Sequence, residues 1–523
     1  MAPGRVPLEW YLYKAGTGEV ADPVDRRSVR GTRKGVRAPE MSSVLSRGVF
    51  AMSLGNAVAL AATIASYFLY SRLLTPAEFG IYASALAIAK FGTILLDGGL
   101  KTALIKHAVV VGSQVHRALF LGSALAALAL LVILWGVVGA LAGAGVVAAA
   151  TGWLFAFYAA AYFLTYPLLI VPLAELERGQ RYTPVARAEA LGITIEYGLP
   201  ALLWLLIAPG FWTFLVAVWI ARLVRTSLVL VAVPARPWLH LGSRPDWPGM
   251  KELFLEGLGL QLAVSLSMVR DNLHLLLVGP WFGKEWVGLY AWALQLCAAA
   301  SQVFALSVAR LSLPALRLTA GVADRWQVAL TQIAWLTLLT APPLVFLTPA
   351  AAVINATLFG SKWSAALPLL PFLVARMLPG MATTPLGYLV MAERNARAFA
   401  LANAVWTGAE LLAALVLLAL LGPRGLAWSY SFMAWVGLLA LLAKLPGPAS
   451  LLQLLGVLLG RPSLWLAMLL CGFYVGTGAQ MQFHDNLPAT GALVAGASLL
   501  CVLAERRFRD WLAASLRSSW RRT

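Results

Sequence analysis

Leu73–Lys106 reads LLTPAEFGIYASALAIAKFGTILLDGGLKTALIK. Thr75-Pro76-Ala77-Glu78 puts a threonine at the cap, a proline at the first helical position and a glutamate at the third. That is a capping box, so a helix starts here. Phe79 to Leu100 is almost wholly apolar, and a run of about 20 apolar residues is long enough to cross a bilayer. Lys90 stands in the middle of it, and Asp97-Gly98-Gly99-Leu100-Lys101 closes it, with Lys106 and His107 beyond. The stretch therefore predicts a sharply started membrane helix with a buried cation and a charged terminal turn. The rest of the chain repeats this arrangement.

The chain has 523 residues, of which 60% are hydrophobic and only 12% charged. Its mean hydropathy is +0.79. These values exclude a soluble protein of this size and predict an all-α polytopic membrane protein. In a soluble chain the formal charge of +18 would point to nucleic acid. In a membrane protein it marks loops facing anionic lipid, so no nucleic-acid partner is expected. Cys297, Cys471 and Cys501 lie in apolar runs, without metal spacing and too few for a disulfide framework. No metal or cofactor is expected.

Apolar runs of about 20 residues number fourteen, from 48–70 to 464–481 and 487–504. With the N-terminus inside, 33 of the 40 Lys and Arg fall in segments on the cytoplasmic side, among them 101–117, 172–187 and 222–251. Four (Arg72, Lys284, Lys362 and Arg424) fall outside, and Lys90, Arg270 and Arg376 lie within spans. That asymmetry places both termini in the cytoplasm. Residues 1–46 are polar and basic with no signal-peptide core, and read as a disordered cytoplasmic tail or as an over-extended start ahead of Met41. Beyond Glu505, residues 506–523 place Phe508, Trp511, Leu512, Leu516 and Trp520 on one helical face, as an interfacial helix would.

Gly80-Ile-Tyr-Ala-Ser-Ala-Leu-Ala-Ile88 recurs as Gly288-Leu-Tyr-Ala-Trp-Ala-Leu-Gln-Leu296, identical at five of nine positions. The offset of 208 residues covers six spans, an even number, so both copies run the same way. The halves are then related by an axis along the membrane normal. This predicts a six-helix lobe over 47–233, a basic linker at 234–252, a second six-helix lobe over 253–445, an extra helix pair over 446–505 and the interfacial tail.

Ser71 to Tyr82 (SRLLTPAEFGIY), followed by Leu96-Asp97-Gly98-Gly99-Leu100 and Ala103-Leu104-Ile105-Lys106, resembles the first helix pair of the bacterial polysaccharide flippases of the MOP superfamily, which also holds the MATE exporters and the lipid II flippases. Leu313-Pro314-Ala315-Leu316 and Asp324-Arg325 resemble that family's inner loop after the eighth helix. Gly98 stands where the family usually has a bulkier residue. The resemblance implies two lobes around a cavity that opens alternately to either side. It implies a polyprenyl-pyrophosphate-linked glycan as substrate, moved from the inner to the outer leaflet of the bacterial inner membrane. Membrane lipids, a glycan polymerase and glycosyltransferases are the partners it suggests.

Charges at bilayer depth are costly and usually face a cavity. Here they are Lys90, Glu196, Arg270, Asp271, Arg376 and Glu410. A pyrophosphate headgroup needs cations, which Lys90 in the first half and Arg270 and Arg376 in the second would supply. Pairing between helices, such as Arg376 with Glu410, is the plainer reading. Asp271 and His274, on nearby helical faces, would carry a coupling proton or neutralise the adjacent arginine; Glu196 and Glu410 stand open to the same two roles. Asp97 and Lys101 read as a turn at the membrane edge. The tenth span, 366–391, carries Pro368, Pro371, Pro379 and Pro385 around Arg376 and is expected to break there. Pro167 is a weaker counterpart in the fourth span.

Three functions compete on these features. A flippase fits best. A small-molecule exporter of the same superfamily is the second, and a membrane glycan polymerase or ligase the third. The third wants a sizeable charged external loop, and no zinc-protease helix, phosphate-cradling glycine loop or nucleophile elbow is present. The chain is therefore read as a transporter, not an enzyme.

Overall fold

The structure, a computed structural model, describes Gly55 and residues 58–459 apart from 107–112, 146–147, 179–180, 208–209, 234–243, 319–320, 394–395 and 446–450. The expected spans at 464–481 and 487–504, the tail 1–46 and the interfacial tail 506–523 lie outside the described residues.

Every element among the described residues is helical. In chain order they are α1 (Val58–Leu73), α2 (Pro76–Asp97), α3 (Leu100–Lys106), α4 (Ser113–Gly143), α5 (Ala149–Arg178), α6 (Tyr182–Leu206), α7 (Trp212–Ala232), α8 (Trp247–Asp271), α9 (Leu273–Leu318) and α10 (Val322–Leu358). A 3-10 turn (Ser364–Leu369) leads into α11 (Leu370–Glu393), then α12 (Ala396–Leu421), α13 (Pro423–Leu442) and α14 (Leu451–Leu459). Among the described residues eight helices are long and apolar enough to cross a membrane. The chain is thus an all-α polytopic membrane protein.

The caps follow from the sequence. Thr75 Oγ1 accepts from Glu78 N at 3.3 Å, and Thr75 N donates to the Glu78 carboxylate at 2.8 Å. The box satisfies two orphan donors at the start of α2. At its other end Gly98 and Gly99 take positive φ, 52° and 76°, which glycine adopts without a Cβ penalty. α8 starts at Trp247, inside the segment 234–252 read as a linker. Asp246 caps it by accepting from Gly249 N at 3.0 Å.

α2 and α4 pack on α5, and α5, α6 and α7 pack on one another; α9, α10 and α11 form a second set, and α11, α12 and α13 a third, with α8 against α12. The main bridge between the early and late helices is α2 on α9. This bridge is the repeat itself. A Cβ added at Gly80 would collide with the Lys284 carbonyl, and one at Gly288 with the Pro76 carbonyl. Residue 284 lies 208 positions after 76, as 288 does after 80. The contact therefore maps onto itself when the two copies are exchanged, as across a two-fold axis. At the far end of α2, Gly99 and Gly257 of α8 meet backbone to backbone in the same way.

The Leu73 end of α1 is fastened to the second half of the chain. Helix ends leave carbonyls without intrahelical partners. Here Trp363 Nε1 donates to Ser71 O at 2.9 Å, and Lys362 Nζ donates to Arg72 O at 2.7 Å and Leu74 O at 2.8 Å. Trp292 Nε1 donates to Ser71 Oγ at 2.8 Å and stacks on Trp363 with ring centroids 5.1 Å apart. A cation here also suits the negative end of the helix dipole. Lys362→Met, which keeps the stem and removes the donors, should cost about 1–2 kcal/mol. Thermal unfolding in detergent measures this; an unchanged midpoint would show that water replaces the ammonium without loss.

Candidate functional site

The break in the membrane helices falls elsewhere than the prolines suggest. α11 runs through Pro379 and Pro385 as helix, and Pro368 lies in the 3-10 turn before it. α5 likewise contains Pro167. The discontinuity is at Asn272 (φ −109°, ψ 8°), between α8 and α9. A second departure from helical geometry is Gly283 (φ 81°, ψ 174°) within α9. The expected loop between the seventh and eighth spans is reduced to that kink. Asp271 is thus the last residue of a helix that stops within the seventh span.

Lys90 from α2, Arg270 and Asp271 from α8 and Arg376 from α11 line one cavity of about 450 Å³. Lys90 is exposed within it and has no ion-pair partner among the described residues. The two arginines are held differently. The Arg270 guanidinium lies 3.5 Å from the centre of the Trp406 ring, and that of Arg376 lies 3.7 Å from the centre of the Tyr430 ring. Arg270 Nη1 also donates to Asn403 Oδ1 at 3.2 Å. Asp271 Oδ1 accepts from Arg376 Nη2 at 2.8 Å and from Arg270 Nε at 3.4 Å. Two cations therefore share one carboxylate, and Lys90 adds a third positive charge.

The other acidic residues part company. Arg376 pairs with Asp271 and not with Glu410, so the interhelical pair weighed from sequence is not formed. Glu410, on α12 one turn beyond Trp406, is fully buried, and neither carboxylate oxygen has a hydrogen-bond partner among the described residues. Glu196 lies outside this cavity. Its Oε2 takes Arg222 Nη2 at 2.6 Å, and its Oε1 takes the hydroxyls of Tyr158, at 3.3 Å, and Tyr162. His274 sits on α9, with its side chain outside the described residues.

Arg222 and Arg225 escaped the sequence reading because they were counted with the loop at 222–251. Both lie within α7, where Arg222 also stacks 3.5 Å from the centre of the Tyr162 ring. A mid-span position, the signal that found Lys90, would have found Arg222. These two arginines line a second cavity of about 420 Å³ with Asp97, Lys101 and Glu177. Tyr166 donates to Asp97, and Lys101 pairs with Glu177 at 2.7 Å. Gln261 of α8 donates to the Ile94 carbonyl of α2, which also contributes to this cavity wall.

A family model described as polysaccharide biosynthesis protein matches residues 69–368, more than half of the chain. The chain belongs to that family. No curated protein matches it in sequence. Among solved structures it is similar to the lipid II flippase MurJ in an inward closed conformation, with a TM-score of 0.66 and 14% identity over 88% of this chain and 99% of that one. It is also similar to an inward-facing multidrug resistance MATE family transporter of the MOP superfamily, with a TM-score of 0.52 and 14% identity over 74% and 94% of the two chains. For the Vibrio cholerae MATE transporter VcmN, in variant form, the TM-score is 0.50 and the identity 14% over 77% and 97%. At such identities the likeness concerns the fold.

In this member of the polysaccharide biosynthesis family the cavity is built for charge. Cations at membrane depth are costly, so each favours an anionic partner. The guanidinium edges, engaged here by Asp271 and Asn403, have the geometry for planar, bidentate hydrogen bonding. Among the described residues no cluster of His, Cys, Asp or Glu could hold a metal ion.

Proposed function

We propose that the protein moves a polyprenyl-pyrophosphate-linked oligosaccharide from the cytoplasmic to the outer leaflet of the bacterial inner membrane, by alternating access between two lobes. The observation that carries this reading is the convergence of Lys90, Arg270 and Arg376, from both halves of the sequence, on one cavity. A diphosphate has at least two negative charges to place there, and the lipid tail remains in the bilayer. The cytoplasmic N-terminus follows from the distribution of Lys and Arg. On that orientation the Gly80–Gly288 crossing lies toward the outer face and the Gly99–Gly257 contact toward the inner one. Glycosyltransferases that build the substrate and a polymerase that consumes it are the partners this role requires.

Deleting the gene should make the inner-leaflet lipid-linked intermediate accumulate and stop glycan export; unchanged export in the deletion strain would dismiss the flippase reading. Lys90→Ala should reach normal membrane levels yet restore less than about one-tenth of export, the scale expected when a buried charge contact is lost. Full rescue would remove Lys90 from the site. The exporter reading predicts instead that the deletion strain becomes sensitive to organic cations while its glycan is unchanged.

A further inference from the structure

We infer that Asp271 is a resident stand-in for the substrate's phosphate: its carboxylate holds the Arg270–Arg376 pair and is displaced from it when an anionic headgroup binds. The inference deepens the proposed function and rests on it.

The two arginines and the aspartate are not equally fixed. Each guanidinium lies over an aromatic ring, Trp406 for Arg270 and Tyr430 for Arg376. Their side chains are only 8% and 12% exposed. Arg270 is tied further to Asn403, and Tyr430 donates to the Arg270 carbonyl. The Asp271 side chain, in contrast, is 49% exposed and faces the cavity. One oxygen, Oδ1, makes both of its contacts to the arginines.

At this break the backbone pulls both ways: Asp271 ends α8, the negative end of that helix dipole, and lies two residues before the start of α9, whose first turn is the positive end. The carboxylate is held there by the arginines, and it leaves when something binds them better. A phosphoryl group is that competitor. It carries more charge than a carboxylate, and its several oxygens can engage both guanidinium edges at once. Lys90, exposed in the same cavity, adds a positive charge that draws in the incoming anion. The exchange also provides for release, because Asp271 returns to the arginines as the headgroup goes. Without such a partner, a site with three cations would hold a diphosphate and release it slowly.

A merely structural aspartate and a competing one predict opposite signs. The test uses the purified full chain in detergent, with farnesyl pyrophosphate as the probe and Trp406, beneath Arg270, among the fluorescent reporters. Wild type should bind saturably, and Arg376→Ala should lose that binding. Asp271→Asn and Asp271→Ser should each bind about tenfold more tightly, as expected from removing a like charge beside the ligand. Asp271→Glu should stay near wild type. In cells, Asp271→Asn should export less glycan despite its tighter binding. If wild type binds and both neutral variants, monodisperse in solution, bind equally or more weakly, Asp271 only positions the arginines and the inference is overturned. If wild type shows no saturable binding, the anionic-headgroup reading fails and takes the inference with it.

Discussion

Gly288→Leu should leave no monodisperse protein in detergent, and Gly80→Leu should do the same. At both positions a side chain would meet main-chain carbonyls of the opposing helix, Pro76 O or Lys284 O. No rotamer relieves a clash between a Cβ and a backbone. The helices α2 and α9 must part along their length, at roughly 3 kcal/mol or more on the scale of overpacked interiors. Because α2 on α9 is the main bridge between early and late helices, the loss spreads beyond one contact. Gly288→Ala should be intermediate. Gly408 on α12, whose added Cβ would meet nothing within 4 Å, should accept alanine at no cost, since alanine is the better helix former. Size-exclusion profiles and thermal midpoints of the four variants decide the matter; a stable, monodisperse Gly288→Leu would mean that the crossing is looser than described.

Arg222→Leu should destabilise the protein by about 3–5 kcal/mol, the cost of stranding one member of a buried ion pair. Glu196 would keep only the hydroxyls of Tyr158 and Tyr162, at 5% exposure. Adding Glu196→Gln should recover most of the loss, because a neutral amide asks far less of its surroundings. Unfolding in detergent reads both. If Arg222→Leu is as stable as wild type while Glu196→Gln halts export, Glu196 serves coupling and not structure.

The helix starts were legible because caps are local. Thr75, Pro76 and Glu78 announce α2 within four residues, and the same logic at Asp246 would have moved the start of α8 into the segment read as linker. The mid-span charges were legible because an apolar run makes a single Lys or Arg conspicuous. Partner choice was not. Arg376 takes Asp271 over Glu410 through the rotation of α8, α11 and α12 about their axes, which spacing along one chain does not encode. The helix break was misplaced for a related reason. Prolines 379 and 385 weaken helical bonding but are accommodated by neighbours, whereas the chain turns aside at Asn272 without proline or glycine to mark it. The two glycine-tyrosine copies revealed an internal symmetry in the sequence, yet not that they touch.

The two glycine contacts at the ends of α2 make that helix a beam pinned twice. Gly80 and Gly99 are 19 positions apart, about 28 Å at the usual helical rise. A rocking motion of the kind proposed above frees one pin and turns the beam on the other. A swing of about 10° then opens roughly 5 Å at the free end over that length, passing water but not a sugar ring. Gaps wide enough for a glycan need a larger swing or a bend along the beam. Lys90 stands near the middle of the beam, so it sweeps roughly half of that arc whichever pin is the pivot.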